Sequence, residues 1–285
     1  MTDSRAVRQP SPEPTAAPTG PAAGTAPWTR YVALGDSFTE GLWDPDPADP
    51  DHQRGWADML AAHLSARRVE DGAEPLEYAN LAIRGRLLQQ ILTDQVPAAL
   101  ELGADLVSLV GGGNDMLRPA ADPDRMAADL EDAVVRLRES GSDVLLGTGV
   151  DAKDSPIVRR TRGRVAVFNS HIWSIARRHD AYVLDLWGMR SVRDWRMWAE
   201  DRIHLTTDGH TRVAQAALVA LGLPPDDERW DDPLAPLPPA PRLDRVRADA
   251  AWLKVHAYPW ATRRLRGRSS GDQRVPKRPS PRPVG

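Results

Sequence analysis

Apolar residues recur along this chain in two rhythms. Short, mostly apolar runs lie at 31–34, 76–83, 106–110, 144–146 and 182–186, and those at 31–34, 106–110 and 144–146 end directly against Gly. Such runs read as strands buried on both faces. Between them, apolar positions return every three or four residues. Trp56, Met59, Leu60, His63 and Leu64 share one face, as do Met126, Leu130, Val134 and Leu137, and stretches 87–102 and 165–178 keep the same helical period, with Pro97 a predicted kink. A last such helix is predicted to run to Leu221, capped by Thr207 or Asp208 and ended by Gly222 and Pro224-Pro225. Strands alternating with helices predict an α/β fold, a five-stranded parallel sheet covered on both faces.

The ends of the chain break this pattern. Residues 1–27 are rich in Pro, Ala and Thr and poor in large apolar side chains, and are expected to be disordered, with the folded domain spanning 28–223. Residues 226–241 are acidic and Pro-rich and read as a linker or surface wrap. Helical spacing returns at 243–265, interrupted by Pro259. The final basic segment is expected to be disordered. From Arg263 onward eight basic residues face Asp272 alone, giving +7, so the net charge of −3 conceals a body of −10. The partner of this tail is unknown; nucleic acid, anionic lipid and the acidic body itself all fit its charge.

With no cysteine in 285 residues, disulfides, a thiolate nucleophile and thiolate metal sites are excluded. Neither a secretory h-region nor an apolar stretch long enough to span a bilayer is visible, and a cytoplasmic location is expected.

Chemistry gathers at the strand ends. Gly35-Asp36-Ser37 closes the first strand, Gly85 follows the second, and Gly112-Gly113-Asn114-Asp115 closes the third. In a parallel sheet these ends share one edge, where ligands bind. Asp201-Arg202-Ile203-His204 precedes the last helix. There His204 can take the Ser37 proton as general base and Asp201 can hold the imidazole. The N–H groups of Ser37 and Gly85 and the Asn114 amide are candidate donors to an oxyanion. Asp36 and Asp115 read as turn-fixing residues, and His210 as a packing or hydrogen-bonding residue at the helix start. His204, Asp208 and His210 make a poor metal set at that spacing. Gly267-Arg268-Ser269-Ser270-Gly271 matches G-x-S-x-G but lacks the strand such a nucleophile requires.

In this order the blocks resemble the SGNH, or GDSL, hydrolase family, over roughly residues 30–223. The four name-giving positions fall on Ser37, Gly85, Asn114 and His204, with Asp201 as orienter. The resemblance implies a three-layer α/β/α, flavodoxin-like fold and hydrolysis of carboxylic esters or thioesters of small-molecule substrates, with no metal or other cofactor. Two departures stand out. Gly85 lies between Arg84 and Arg86, either of which would bind an anionic substrate group if it faced the site. Leu205 follows the histidine where proline is common. An acyltransferase on the same site and a non-catalytic module with a nucleic-acid-binding tail are the rival readings.

Overall fold

The computed structural model describes residues 26–49, 52–153, 155, 158–238, 241–257 and 270–285. Strands β1 (Arg30–Gly35), β2 (Glu77–Asn80), β3 (Leu106–Val110), β4 (Asp143–Gly147) and β5 (Tyr182–Leu184) are parallel. Their spatial order, 5-4-3-1-2, places a switch point between β1 and β3, where open α/β sheets form their crevice.

Alternate residues of each strand enter opposite cores. Tyr31 and Ala33 face one side with Leu145 and Leu184, whereas Val32 and Leu34 face the other with Val107 and Leu146. Helices α2 (Trp56–Glu70) and α8 (Thr207–Ala220) cover the first side, burying Trp56, Leu60 and Leu64 against Val213, Ala217 and Leu218. On the second side lie α6 (Pro123–Glu139) and α7 (Arg162–His179), with Leu130, Val134 and Leu137 against Phe168, Ile172 and Ile175. The stretch around Pro97 also packs there, as α3 (Leu88–Gln90), a π-helical turn (Ile91–Gln95) and α4 (Val96–Glu101). Pro97 sits in the first turn of α4, directly after the π-helical turn, so the helical hydrogen-bond register changes where its N–H is missing. The single-turn helices α1 (Ser37–Glu40) and α5 (Gly113–Met116) open the segments after β1 and β3.

Helix α8 begins one residue earlier than the sequence predicts. Thr206 is its cap and accepts from Gly209 N, while the Thr207 hydroxyl donates to buried Asp44 at 2.6 Å. The acidic stretch after α8 wraps the surface. Arg67 binds Pro224 O and Asp226, and Asp231 accepts from Arg190 N and Ser191 N. Helix α9 (Arg242–Trp252) continues into a π-helical turn (Leu253–Ala257). The break expected at Pro259, the G-x-S-x-G serine Ser269 and residues 1–25 of the expected N-terminal disorder lie outside the described residues.

The basic end departs from expectation. Arg278–Pro283 forms β6, antiparallel to β2 at the sheet edge, so the sheet has six strands. Proline at 279, 281 and 283 removes donors from one side of this strand only. An edge strand tolerates that, because among the described residues no strand pairs with its outer side. The alternation of Pro with Arg and Ser, which by composition signals disorder, is here the pattern of a terminal strand.

Candidate active site

Strand β1 delivers Ser37 to the switch point through an unusually tight turn. A Cβ on Gly35 would lie 2.5 Å from Val110 O and 2.6 Å from Thr39 Oγ1, so no larger residue fits. Buried Gln95, in the π-helical turn, brackets Gly35 by accepting from its N–H at 2.8 Å and donating to its carbonyl at 2.9 Å. Asp36 then caps α1, accepting from Phe38 N at 3.1 Å, and Ser37 is the first helical residue.

His204 arrives from 167 positions away. Its Nε2 lies 2.9 Å from Ser37 Oγ, and its Nδ1 2.5 Å from Asp201 Oδ2. The other carboxylate oxygen, Oδ1, accepts from Ile203 N and His204 N, each at 3.0 Å. Burial alone would raise the Asp201 carboxyl; the bond and charge of His204 and these two N–H groups outweigh it and hold the group below its ordinary value. The turn that presents His204 places Arg202 at φ 58°, a left-handed conformation a non-glycine residue rarely adopts. Helix α9 supports it from outside. Trp252 Nε1 donates to Asp201 O at 2.9 Å, while the Arg202 guanidinium stacks over the Trp252 ring and pairs with Asp249 at 2.7 Å.

Of the oxyanion candidates, Ser37 and Asn114 line the cleft beside this pair and Gly85 does not. Gly85 adopts φ 75°, and neither its N–H nor that of Ser37 donates to a protein acceptor among the described residues. The Asn114 amide is engaged, donating to Asp36 Oδ2 at 3.0 Å and to Arg86 O at 3.1 Å. A primary amide has two hydrogens, so both have protein partners. Asp115 accepts from Leu88 N at the start of α3, and both aspartates fix turns as the sequence predicts.

A cleft of about 450 Å³ opens beside Ser37, Asn114 and His204. Its walls are mainly apolar, including Val110, Met116, Val158 and Val165, with Trp195, Trp198 and Trp252 adding aromatic surface. Gly85, Arg84 and Arg86 are not among the lining residues. Arg84 turns instead to Glu40, which accepts from its backbone N at 2.6 Å and its Nε at 2.8 Å. That correlates with Glu40 being buried, a position the sequence pattern gives no reason to single out. Trp252 and Arg202 were equally invisible in sequence, because their value lies in a contact between α9 and a loop some fifty residues earlier.

Two buried groups border the site. Burial pushes the Asp36 carboxyl up to about 6, against opposing pulls from Phe38 N, the nearby His204 and Asn114. His210 is driven by burial down to about 4, and its Nδ1 accepts from Trp56 N at 3.2 Å, the packing role read from the sequence. Among the described residues no group of three or more His, Cys, Asp or Glu could hold a metal ion, and no helix is long and apolar enough to cross a membrane.

Residues 33–212 match the model of the GDSL-like lipase/acylhydrolase family. No curated protein matches the chain significantly. Among solved structures, the chain is similar to LAE5, an alpha/beta hydrolase enzyme from the metagenome of Lake Arreo, with 24% identity over 68% of this chain and 95% of that one and a TM-score of 0.57. It is also similar to Axe2, an acetylxylan esterase from Geobacillus stearothermophilus, with 18% identity, 68% and 94% coverage and a TM-score of 0.55. The psychrotrophic esterase EstA from Pseudoalteromonas sp. gives 14% identity, 68% and 97% coverage and a TM-score of 0.52. At these identities the likeness is one of fold, a sheet flanked by helices. The match to the family model covers well over half of the sequence, and the chain therefore belongs to the GDSL-like lipase/acylhydrolase family, a family of serine ester hydrolases.

Proposed function

We propose that this hydrolase cleaves carboxylic esters with an apolar acyl chain, through an acyl-enzyme formed on Ser37. The observation that carries the proposal is the continuous chain Ser37 Oγ, His204, Asp201, closed by contacts of 2.9 and 2.5 Å. His204 Nε2 accepts the hydroxyl proton as Ser37 attacks the ester carbonyl, then returns it to the departing alcohol. Asp201 fixes the Nδ1–H tautomer and stabilises the imidazolium. The Ser37 and Gly85 N–H groups receive the oxyanion, and Asn114 joins them by turning one amide hydrogen away from Asp36 or Arg86 O. Water, activated by the same imidazole, then releases the acid. Two Axe2 structures similar to this chain are of its catalytic mutants, one at a serine and one at a histidine, in keeping with these roles.

The apolar, tryptophan-walled cleft favours an acyl chain longer than acetyl. Arg84, committed to Glu40, is not at hand for an anionic head group. The test is hydrolysis of aryl esters of graded acyl length by wild type and Ser37→Ala. Wild type is expected to prefer medium over acetyl chains. Ser37→Ala is expected to lose at least about 10⁴-fold in kcat and to resist labelling by a fluorophosphonate. Undiminished turnover by the alanine variant would refute the nucleophile.

A further inference from the structure

The basic end of the chain reaches the back of the nucleophile turn. Lys277, one residue before β6, has a side chain only 10% exposed. Its ammonium donates to Glu40 O and Gln53 O, each at 2.8 Å, to Arg54 O, and to Asp58 Oδ2 at 2.5 Å. Three N–H donors thus serve four acceptors. Glu40 is the last residue of α1, so its carbonyl is one of those a helix end leaves unpaired, and a cation suits that negative end.

Glu40 faces two ways. Its carbonyl is held by Lys277, and its carboxylate holds the backbone N and guanidinium of Arg84, next to Gly85. Asp58, the ammonium's counter-charge, also accepts from Asn80 Nδ2 at 3.4 Å, and the same amide binds Thr39 O at 3.0 Å. The last two carbonyls of the nucleophile helix are therefore fixed from one buried network. Lys277 and Gly271 extend it to the chain's end, Gly271 packing so closely on Arg84 O that a Cβ would lie 1.9 Å from it. Lys277 and Gly271 themselves lie beyond the stretch matched by the family model, residues 33–212, whereas the groups they hold lie within it.

The geometry points to Lys277 as a positioning residue for esterolysis: it clamps the end of α1 and so keeps Ser37 in register with His204 and the Gly85 loop. This rests on the proposed role of Ser37. Displacing a reacting group by about 1 Å costs up to about 100-fold, so Lys277→Met is expected to lower kcat by about 10- to 100-fold while KM stays within about twofold.

Lys277→Met also strands the Asp58 charge in the interior, which lowers stability by itself. The decisive protein is therefore the double variant Asp58→Asn, Lys277→Met, compared with wild type by thermal melting and by kcat and KM on one aryl ester. It is expected to regain most of the wild-type Tm and to keep the depressed kcat. Recovery of kcat together with Tm would overturn the clamp, since Lys277 would then serve stability alone. So would failure of the double variant to fold. If wild type hydrolyses no ester, the reading of Ser37 fails first; if wild type is active and the double variant equals it, only the clamp fails.

Discussion

Asp36 is held as an acid in a place that disfavours its charge. Burial lifts it to about 6, against an ordinary value of 3.8. Below about pH 4 both folded and unfolded chains hold the proton. Between 4 and 6 the unfolded chain releases it first, so folding stability falls as pH rises, and above 6 the loss is complete, on the order of 3 kcal/mol. Asp36→Asn removes this slope. Its stability relative to wild type is expected to climb from pH 4 to 6 and level off above, as measured by denaturant unfolding; parallel curves would contradict the assignment. The lost second acceptor for Asn114 adds a pH-independent offset, so the shape of the difference is the readout. Ser37, Asn114 and the Asp201–His204 pair were legible in sequence as blocks, the first two because strand ends of one sense must converge; Gly85, read with them, does not line the cleft. That both Asn114 hydrogens are engaged, and that Arg84 turns to Glu40, depends on side-chain directions that spacing does not encode.

At the scale of elements, the nucleophile turn is welded to the start of α2 by two glycines. A Cβ on Gly41 would sit 2.3 Å from Arg54 O, and one on Gly55 would sit 2.4 Å from Gly41 Cα. Both have left-handed backbones, at φ 85° and 90°. Gly41→Ala therefore meets strain and collision at once and is expected to destabilise the fold by about 3 kcal/mol and to reduce turnover in the fraction that remains folded. A wild-type melting temperature would contradict this packing. The five parallel strands and the helices between them were readable because apolar runs and three-to-four spacing seldom mislead over long segments. The one-residue shift of the α8 cap was not, since Thr206 and Thr207 are chemically alike and only Asp44, 163 positions away, decides between them.

For the molecule as a whole, the charge asymmetry turns inward. Lys277 lies against Asp58, and Arg278 stacks over Tyr78 and donates to its carbonyl at 2.7 Å. Composition pointed to a disordered tail because proline-rich basic sequence cannot build a core of its own; here it borrows one, using a sheet edge. Strand β6 also shields that edge, and its prolines leave the outer side without a full row of donors. Deleting residues 270–285 is expected to expose the β2 edge and drive self-association, seen as a larger mass in light scattering than for the full chain. A truncated protein of unchanged mass would show that the edge needs no cover.

The order of synthesis gives this arrangement a temporal side. Ser37, Gly85, Asn114, Asp201 and His204 all precede Lys277, the last of them by more than seventy residues. At about 5–20 residues per second, a ribosome needs several seconds more after making the histidine before the lysine exists. On the proposed roles of Ser37 and Lys277, a nascent chain arrested in that interval is expected to carry the proposed triad yet hydrolyse esters slowly, so that translation itself delays the onset of activity.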